Sequence, residues 1–214
     1  MSTGPTVALD EMSRSWSRAA IWAKDGSAAL EFAEIARMGT NLRAEGIAVA
    51  AEPLAYRLDY SLETGPGFVT SRLRLTSRGD RWRRMLDLRR DAAGAWTVDT
   101  NDEGDVDLPA AGGDPATFRD ALDCDLALSP VTNLMPILRH DLLVGGGTVD
   151  LIAAWVSVPD LSVCADRQRY RFIRADRASS VVAYEETDGS FSAELTLDPD
   201  GLVIDYPGLA HRLG

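Results

Sequence analysis

The chain has 214 residues, of which 45% are hydrophobic and 26% are charged, and its formal net charge is −11. This composition is typical of a folded globular protein and excludes disorder over the whole length, so we expect one domain spanning residues 1–214. The excess of negative charge repels nucleic-acid phosphates, and a nucleic-acid partner is therefore not expected.

The sequence contains no run of about 18 apolar residues, so no transmembrane segment is predicted. Its N-terminus lacks a basic start followed by an apolar core, which argues against a signal peptide and favours a cytoplasmic location. In that compartment Cys124 and Cys164 are expected to be reduced thiols that pack as small hydrophobic side chains. No motif for a metal or another cofactor is present, and none is predicted.

Strands are predicted throughout the N-terminal half. Residues Ala19–Ala23 and Leu42–Ala51 form plausible strands, and Ala29–Arg37 is either a strand or a helix because Ala, Glu and Leu favour helices. Alternation of apolar and polar residues then predicts four strands with short connections: Leu54–Glu63, Phe68–Thr76, Trp82–Arg90 and a return strand that begins with Trp96 and Val98. These connections are too short for crossover helices, so the strands form an antiparallel meander.

Arginines are frequent between Arg72 and Arg90, and the alternation places them on the solvated face of two strands. The next stretch, Asn101–Asp114, is rich in Asp, Gly, Ala and Pro and is predicted to be a loop. A short helix is possible over Pro115–Leu122, with Asp114 as its N-cap and Pro115 at its first position.

The second half returns to strand patterns. Predicted strands are Thr148–Val158, Arg167–Arg174, Ser180–Glu186, Phe191–Leu197 and Leu202–Tyr206. The first of these carries apolar residues on both faces, which indicates that it is covered on both sides. The fold is thus predicted to be mainly β: about ten strands in a strongly curved antiparallel sheet that forms a partly closed barrel or roll, with one or two short helices. The concave face of such a sheet is expected to hold a ligand.

The segment from Asp123 to Arg139 mixes acidic, turn-forming and apolar residues in a way that strand patterning does not require. Pro136 is expected to break any helix here, and Thr132 and Asn133 suit a turn or a cap. The segment resembles the signature of a family of bacterial proteins named "putative glycolipid-binding". The matching residues are Asp123, Asp125, Leu126, Ser129, Pro130, Thr132, Asn133, Pro136 and Ile137.

The resemblance extends over most of the chain. It includes Trp22, Glu31, Trp96, Ala154–Val156, Pro159, Gln168, Tyr170 and the closing run Asp200–Pro207. A paired basic motif is expected after Pro136-Ile137, and here only Arg139 supplies it. The resemblance implies a half-open antiparallel β-barrel, similar in shape to the bacterial periplasmic carriers of lipoproteins.

The leading hypothesis is a non-catalytic protein that binds a glycolipid, a fatty acyl group or another small amphiphile on its concave face. The predicted ligand-binding set consists of Trp22, Arg72, Asp125, Asn133, Arg139, Trp155, Gln168, Tyr170 and Tyr206. An amide such as Gln168 on an otherwise apolar face needs polar partners, and Gln168→Leu is therefore predicted to alter ligand choice with little loss of fold.

Two alternatives from other functional classes stay open. The first is a hydrolase or transferase acting on a lipidic substrate, with His140 paired with Asp123 or Asp125 as acid and base. The second is a protein-interaction module that pairs through an exposed sheet edge. The sequence does not determine the oligomeric state.

Overall fold

In a computed structural model that describes residues 15–52 and 54–214, the alternating segments form one open sheet of 14 strands. The first seven strands are β1 (Trp16–Lys24), β2 (Ala29–Met38), β3 (Asn41–Ala50), β4 (Tyr56–Thr64), β5 (Thr70–Gly79), β6 (Trp82–Arg90) and β7 (Trp96–Gly104). The other seven are β8 (Asp123–Leu126), β9 (Thr148–Val156), β10 (Val163–Ala175), β11 (Ser180–Glu186), β12 (Ser192–Leu197), β13 (Val203–Tyr206) and β14 (Ala210–Arg212). The mainly β prediction is confirmed. The N-terminal residues 1–14, on which the prediction of no signal peptide rests, lie outside the described residues.

Two meanders make up the sheet. Strands β1 to β7 lie side by side in chain order, β14 joins β1, and the order then runs back from β14 to β8. All neighbouring strands are antiparallel except β8 and β9, which are parallel. The alternative of a helix over residues 29–37 is excluded, since β2 pairs with both β1 and β3 and buries Ala33 and Ile35 on one face.

The interior of the curved sheet is filled by two clusters of buried side chains. One cluster packs under β1 to β7 and includes Trp22, Leu73 and Leu88; the other packs under β10 to β13 and includes Tyr170 and Leu195. Strand β9 contributes to both clusters, which explains its apolar residues on both faces. This strand is covered on both sides, as predicted.

The connection between β7 and β9 differs from the prediction at two places. Strand β7 continues through Gly104, because its polar residues pair with β6 as far as Trp82. Residues 115–120 form successive turns, closed by Thr117 N–H to Asp114 C=O and Ala121 N–H to Phe118 C=O bonds that span only three residues. The predicted loop over 101–114 and helix over 115–122 are therefore wrong in extent and type.

The single α-helix of the described residues, α1 (Leu134–Arg139), contains Pro136. The prediction that this proline prevents a helix is wrong, because Pro136 occupies the first turn, where the backbone N–H has no partner within the helix. Leu134 and Met135 face one buried cluster and Ile137 faces the other. The helix therefore fills the space between the two meanders.

Two predictions about individual side chains are also corrected. Arg84 lies on the buried face of β6 between Trp82 and Leu86, whereas Arg83 and Arg89 face solvent as expected. Both thiols are free, and Cys124 is buried as predicted, but Cys164 is exposed. No helix of the described residues is long and apolar enough to cross a membrane.

Candidate functional site

A groove of about 700 Å³ lies on the solvent-facing side of strands β2 to β7, opposite the packed interior. Strand pairing arranges its lining in two parallel rows that cross the six strands. The first row is Phe32, Ile47, Asp59, Thr76, Met85 and Asn101. The second row is Glu34, Glu45, Ser61, Arg74, Asp87 and Asp99.

The first row begins an exposed apolar patch. Phe32 and Ile47 are direct cross-strand neighbours, and Ile21 on β1 extends the row by one strand. Leu30 and Val49 form a neighbouring pair, and all five side chains are more than a third exposed. Contiguous exposed apolar surface of this kind is characteristic of ligand-binding or interaction sites.

The second row is rich in carboxylates that differ in their partners. Asp87 accepts hydrogen bonds from Arg72 and Arg89, with 2.8 Å between Arg72 Nε and Asp87 Oδ1, and these bonds hold the pKa of Asp87 well below its usual value. Glu34 and Glu45 are opposite each other on β2 and β3, and within the described part of the chain neither has a cationic partner. Like charges placed directly opposite each other are destabilising, so this pair is an uncompensated feature of the groove wall.

Beneath the sheet, a second polar arrangement contains two residues of the family signature, Asp125 and Thr132. Asp125 accepts hydrogen bonds from Thr132 and Gln168, both at 2.6 Å, and Gln168 Nε2 also donates to Asp166 at 2.8 Å. Burial raises the pKa of Asp125 to about 6, although the bonds from Thr132 and Gln168 act in the opposite direction. A carboxyl group with this pKa changes charge near neutral pH.

Arg139 and Asp123 form a buried ion pair beside that arrangement. Arg139 Nη1 is 2.7 Å from Asp123 Oδ1, and burial raises the pKa of the Asp123 carboxyl despite this contact. Arg139 Nε donates to His140 Nε2 at 3.4 Å, and the pKa of His140 is lowered by burial and by the neighbouring guanidinium. Arg139 and His140 also border a groove of about 610 Å³ next to β9.

The predicted ligand-binding residues are not gathered in one cavity. Trp22, Tyr170 and Tyr206 are buried in the interior, where Trp22 Nε1 donates to the Val203 carbonyl at 2.9 Å. Asn133 accepts from the Tyr170 hydroxyl at 2.8 Å, which orders the start of α1.

The remaining members of the predicted set occupy three different environments. Gln168 and Asp125 belong to the interior polar arrangement, and Trp155 is half-buried on β9. Arg72 lies on the outer face and contacts the larger groove only through Asp87. Of the nine residues, Arg139 alone lines one of the two grooves. Ligand contact by these residues stays a prediction.

The residues of the larger groove were missed by the sequence analysis. The signal that identifies them is apolar character on both strand faces: Leu30 and Phe32 alternate out of phase with Ala33 and Ile35 in β2. Because an exposed face of a sheet is normally polar, large apolar residues at these positions are informative. Within the described residues no group of three or more His, Cys, Asp or Glu side chains is placed to hold a metal ion.

Comparison with known proteins agrees with this architecture. No curated protein is significantly similar to the chain. The crystal structure of a DUF1089 family protein from Pseudomonas aeruginosa is similar, with 30% sequence identity and a TM-score of 0.66 over 89% of this chain and 95% of that chain. The model of the family described as "Putative glycolipid-binding" matches residues 19–212, and the chain belongs to that family.

Proposed function

We propose that the protein binds a glycolipid, or another lipid-like amphiphile with a hydroxyl-rich head group, in the larger groove and does not transform it. The observation that carries this proposal is the row of exposed apolar side chains, headed by Phe32 and Ile47, beside the row that contains Glu34 and Glu45. An amphiphile has the same two-part chemistry. The volume of about 700 Å³ is within the usual range for small-molecule sites.

The apolar row supplies the binding free energy in this proposal. Burial of apolar surface contributes about 25 cal/mol per Å². An acyl chain that lies over Ile21, Phe32 and Ile47 therefore stabilises the complex by removing their exposed surface from water. Met85 extends the apolar contact across the groove to β6. Its flexible thioether side chain suits chains of different shape.

The carboxylates supply selectivity for the head group. Glu34 and Glu45 accept hydrogen bonds, and sugar hydroxyls donate them, whereas a phosphate or carboxylate head group is repelled. Asp59 and Asp87 are engaged by arginines, which keeps them fixed at the groove wall. The description of the family as glycolipid-binding supports a sugar head group.

The enzymatic alternative finds less support in the geometry. His140 Nε2 contacts Arg139, Asp123 is engaged by Arg139, and Asp125 is engaged by Thr132 and Gln168. A general acid or base needs a ring nitrogen and a carboxylate free to meet a substrate proton. Loss of a measured lipid-directed activity in a His140→Ala variant would favour the enzymatic alternative.

Isothermal titration of the full chain with n-dodecyl-β-maltoside, kept below its micellar concentration, tests the proposal. Dodecyl maltoside is expected to bind, and dodecanoate, which has the same chain length with a carboxylate head, is expected to bind several-fold more weakly. Ile47→Ser is expected to weaken binding about tenfold because it removes apolar contact worth roughly 1 to 1.5 kcal/mol. Val144→Ser is the matched control, because Val144 is 81% exposed and lies outside the groove.

Either of two results would overturn the proposal. One is a full chain that fails to bind dodecyl maltoside at all. The other is an Ile47→Ser variant that binds dodecyl maltoside as tightly as the unmodified protein, since the ligand would then lie elsewhere.

A further inference from the structure

Strand β9 has a partner on only part of one side. Its parallel neighbour β8 pairs with Ala153–Val156, whereas β10 pairs with the whole strand from Thr148 onwards. The first five residues of β9 therefore present a free sheet edge. Such an edge carries unpaired backbone groups and is a template for an additional strand.

The hydrogen bonds around β9 define which backbone groups face this edge. The Val156 carbonyl accepts from Ala127 N–H at 2.9 Å on the β8 side, and the Gly147 carbonyl accepts from Phe172 N–H at 2.9 Å on the β10 side. Because the backbone groups of successive residues in a strand point to alternate sides, Ile152 and Asp150 direct theirs to the free edge. The smaller groove of about 610 Å³ lies beside these residues.

Arginines on β10 form a regular row one strand away from this edge. Arg167, Arg169 and Arg171 are the cross-strand partners of Ile152, Asp150 and Thr148, and the first two line the groove together with Arg139. Alternate residues of a strand are about 6.8 Å apart, which equals the spacing of alternate side chains in an extended peptide laid next to β9. These arginines form a basic patch on a protein that is acidic as a whole, with a net charge of −11.

Most of this positive charge is available to a partner. Within the described part of the chain, Arg167 and Arg171 form no ion pair. Arg169 contacts Asp150, with 2.6 Å between Nε and Oδ1, but both side chains are exposed, so this ion pair is worth little and is readily exchanged.

We propose that the free edge of β9 accepts an extended acidic peptide as an added strand, whose backbone bonds to Asp150 and Ile152 and whose alternate carboxylates contact Arg167, Arg169 and Arg171. Added strands of this kind gain affinity from main-chain hydrogen bonds and specificity from alternate side chains. The partner continues the line of β8 along β9. This site is separate from the larger groove and does not depend on the ligand bound there.

Fluorescence anisotropy of a labelled heptapeptide, Thr-Glu-Val-Glu-Val-Glu-Thr, with the full chain tests this proposal. The peptide is expected to bind and to bind more weakly as salt rises, whereas the same peptide with Lys in place of Glu is not expected to bind. Arg167→Gln and Arg171→Gln are each expected to weaken binding by up to about fivefold. Arg83→Gln, an exposed arginine on β6, is the matched control.

Amide hydrogen exchange separates strand addition from simple charge attraction. On addition of the peptide, exchange at Asp150 and Ile152 is expected to slow at least tenfold, and exchange at Leu151, whose N–H already faces β10, is expected to change little. In an added strand, only every second backbone N–H of the peptide faces β9. N-methylation of those amides should abolish binding, whereas N-methylation of the other set should leave binding unchanged. The proposal is wrong if the acidic peptide does not bind, if Asp150 and Ile152 gain no protection, or if both methylated peptides bind equally.

Discussion

Lys24 and Glu31 form an ion pair inside the sheet, with 2.6 Å between Nζ and Oε2 and both side chains almost fully buried. Glu31 also accepts hydrogen bonds from Tyr60 at 2.7 Å and from Ser129 at 2.5 Å, and Lys24 donates to the Leu128 carbonyl. The pair thus connects β1, β2 and β4 to the segment that follows β8.

Removal of one partner should therefore cost more than removal of both. Glu31→Leu is expected to lower the free energy of unfolding by about 3 to 5 kcal/mol, because it leaves the Lys24 ammonium buried without a counter-charge. The double variant Lys24→Met/Glu31→Leu should recover a large part of this loss. Urea unfolding of Lys24→Met, Glu31→Leu and the double variant gives the coupling free energy between the two side chains. Strictly additive losses in the double variant would contradict the buried ion pair.

Gly46 is expected to be required by the ring of Tyr60. A Cβ atom at Gly46 would overlap the Tyr60 ring, whose hydroxyl is bonded to Glu31. Gly46→Ala should lower the free energy of unfolding by about 1 to 3 kcal/mol, since the Tyr60 ring is buried and its hydroxyl is bonded to Glu31. Gly65→Ala is the control, because a Cβ there meets only the Val69 carbonyl at 4.0 Å; equal losses in both variants would contradict the steric argument.

Arg84 is expected to hold the connection after β7 against the sheet. Its guanidinium donates to the carbonyls of Pro109, Leu108 at 3.2 Å and Asp160 at 3.1 Å. Arg84→Ala should cost about 3 kcal/mol of unfolding free energy and speed amide exchange in residues 105–114, because three carbonyls lose a charged donor. Arg83→Ala, at the exposed neighbouring position, should change either quantity little. Equal exchange rates in the two variants would argue against this role.

Prediction of the strands from the sequence was successful where a single periodicity sufficed. The two-residue alternation in β4 and β6 located strands and their buried faces, and the apolar character of β9 on both faces indicated double coverage. It failed where long-range contacts decide the conformation. The polar end of β7 is a strand only because β6 lies beside it, and Pro136 is tolerated because it falls in the first turn of α1.

Buried charges were the least predictable part of the interior. Lys24, Glu31 and Arg84 each occupy a position where the strand's alternation predicts a buried apolar residue, which is a usable signal. Their partners, however, lie far away in the sequence, as Leu128 does from Lys24. The candidate site was missed for a related reason. Ligand contact was expected on the inner face, and the structure fills that face with helix α1 and the aromatic rings of Tyr170 and Tyr206.

Gln168 is now expected to be structural. Its amide lies between the carboxylates of Asp125 and Asp166, at 2.6 Å and 2.8 Å. Gln168→Leu should lower the free energy of unfolding by about 2 kcal/mol, because two carboxylates lose a donor, and should leave the affinity for dodecyl maltoside unchanged. Arg167→Gln, one position away on the exposed face of β10, is the control for stability. A stable Gln168→Leu variant with altered ligand preference would restore its role as a ligand contact.

Asp125 should make stability depend on pH in an unusual direction for a carboxylate. In the folded protein its pKa is about 6, against the usual 3.8 of an aspartate, so between these pH values the folded chain keeps a proton that the unfolded chain releases. Asp125 therefore contributes its full stabilisation below about pH 3.8. This contribution declines as the pH rises from 3.8 through 6 and is lost above that. The total change in the free energy of unfolding is at most about 3 kcal/mol.

The variant Asp125→Asn isolates this contribution, because the other carboxylates titrate equally in both proteins. We compare the free energy of unfolding of this variant with that of the unmodified protein at each pH. The variant minus the unmodified protein should rise between pH 4 and pH 7, because only the unmodified protein loses the stabilising proton. Asp120→Asn, which removes an exposed carboxylate, is the matched control, and its profile should run parallel to that of the unmodified protein. Urea unfolding at half-unit pH steps measures the difference. A constant difference for Asp125→Asn would mean that the polar contacts from Thr132 and Gln168 stabilise the carboxylate enough to offset its burial.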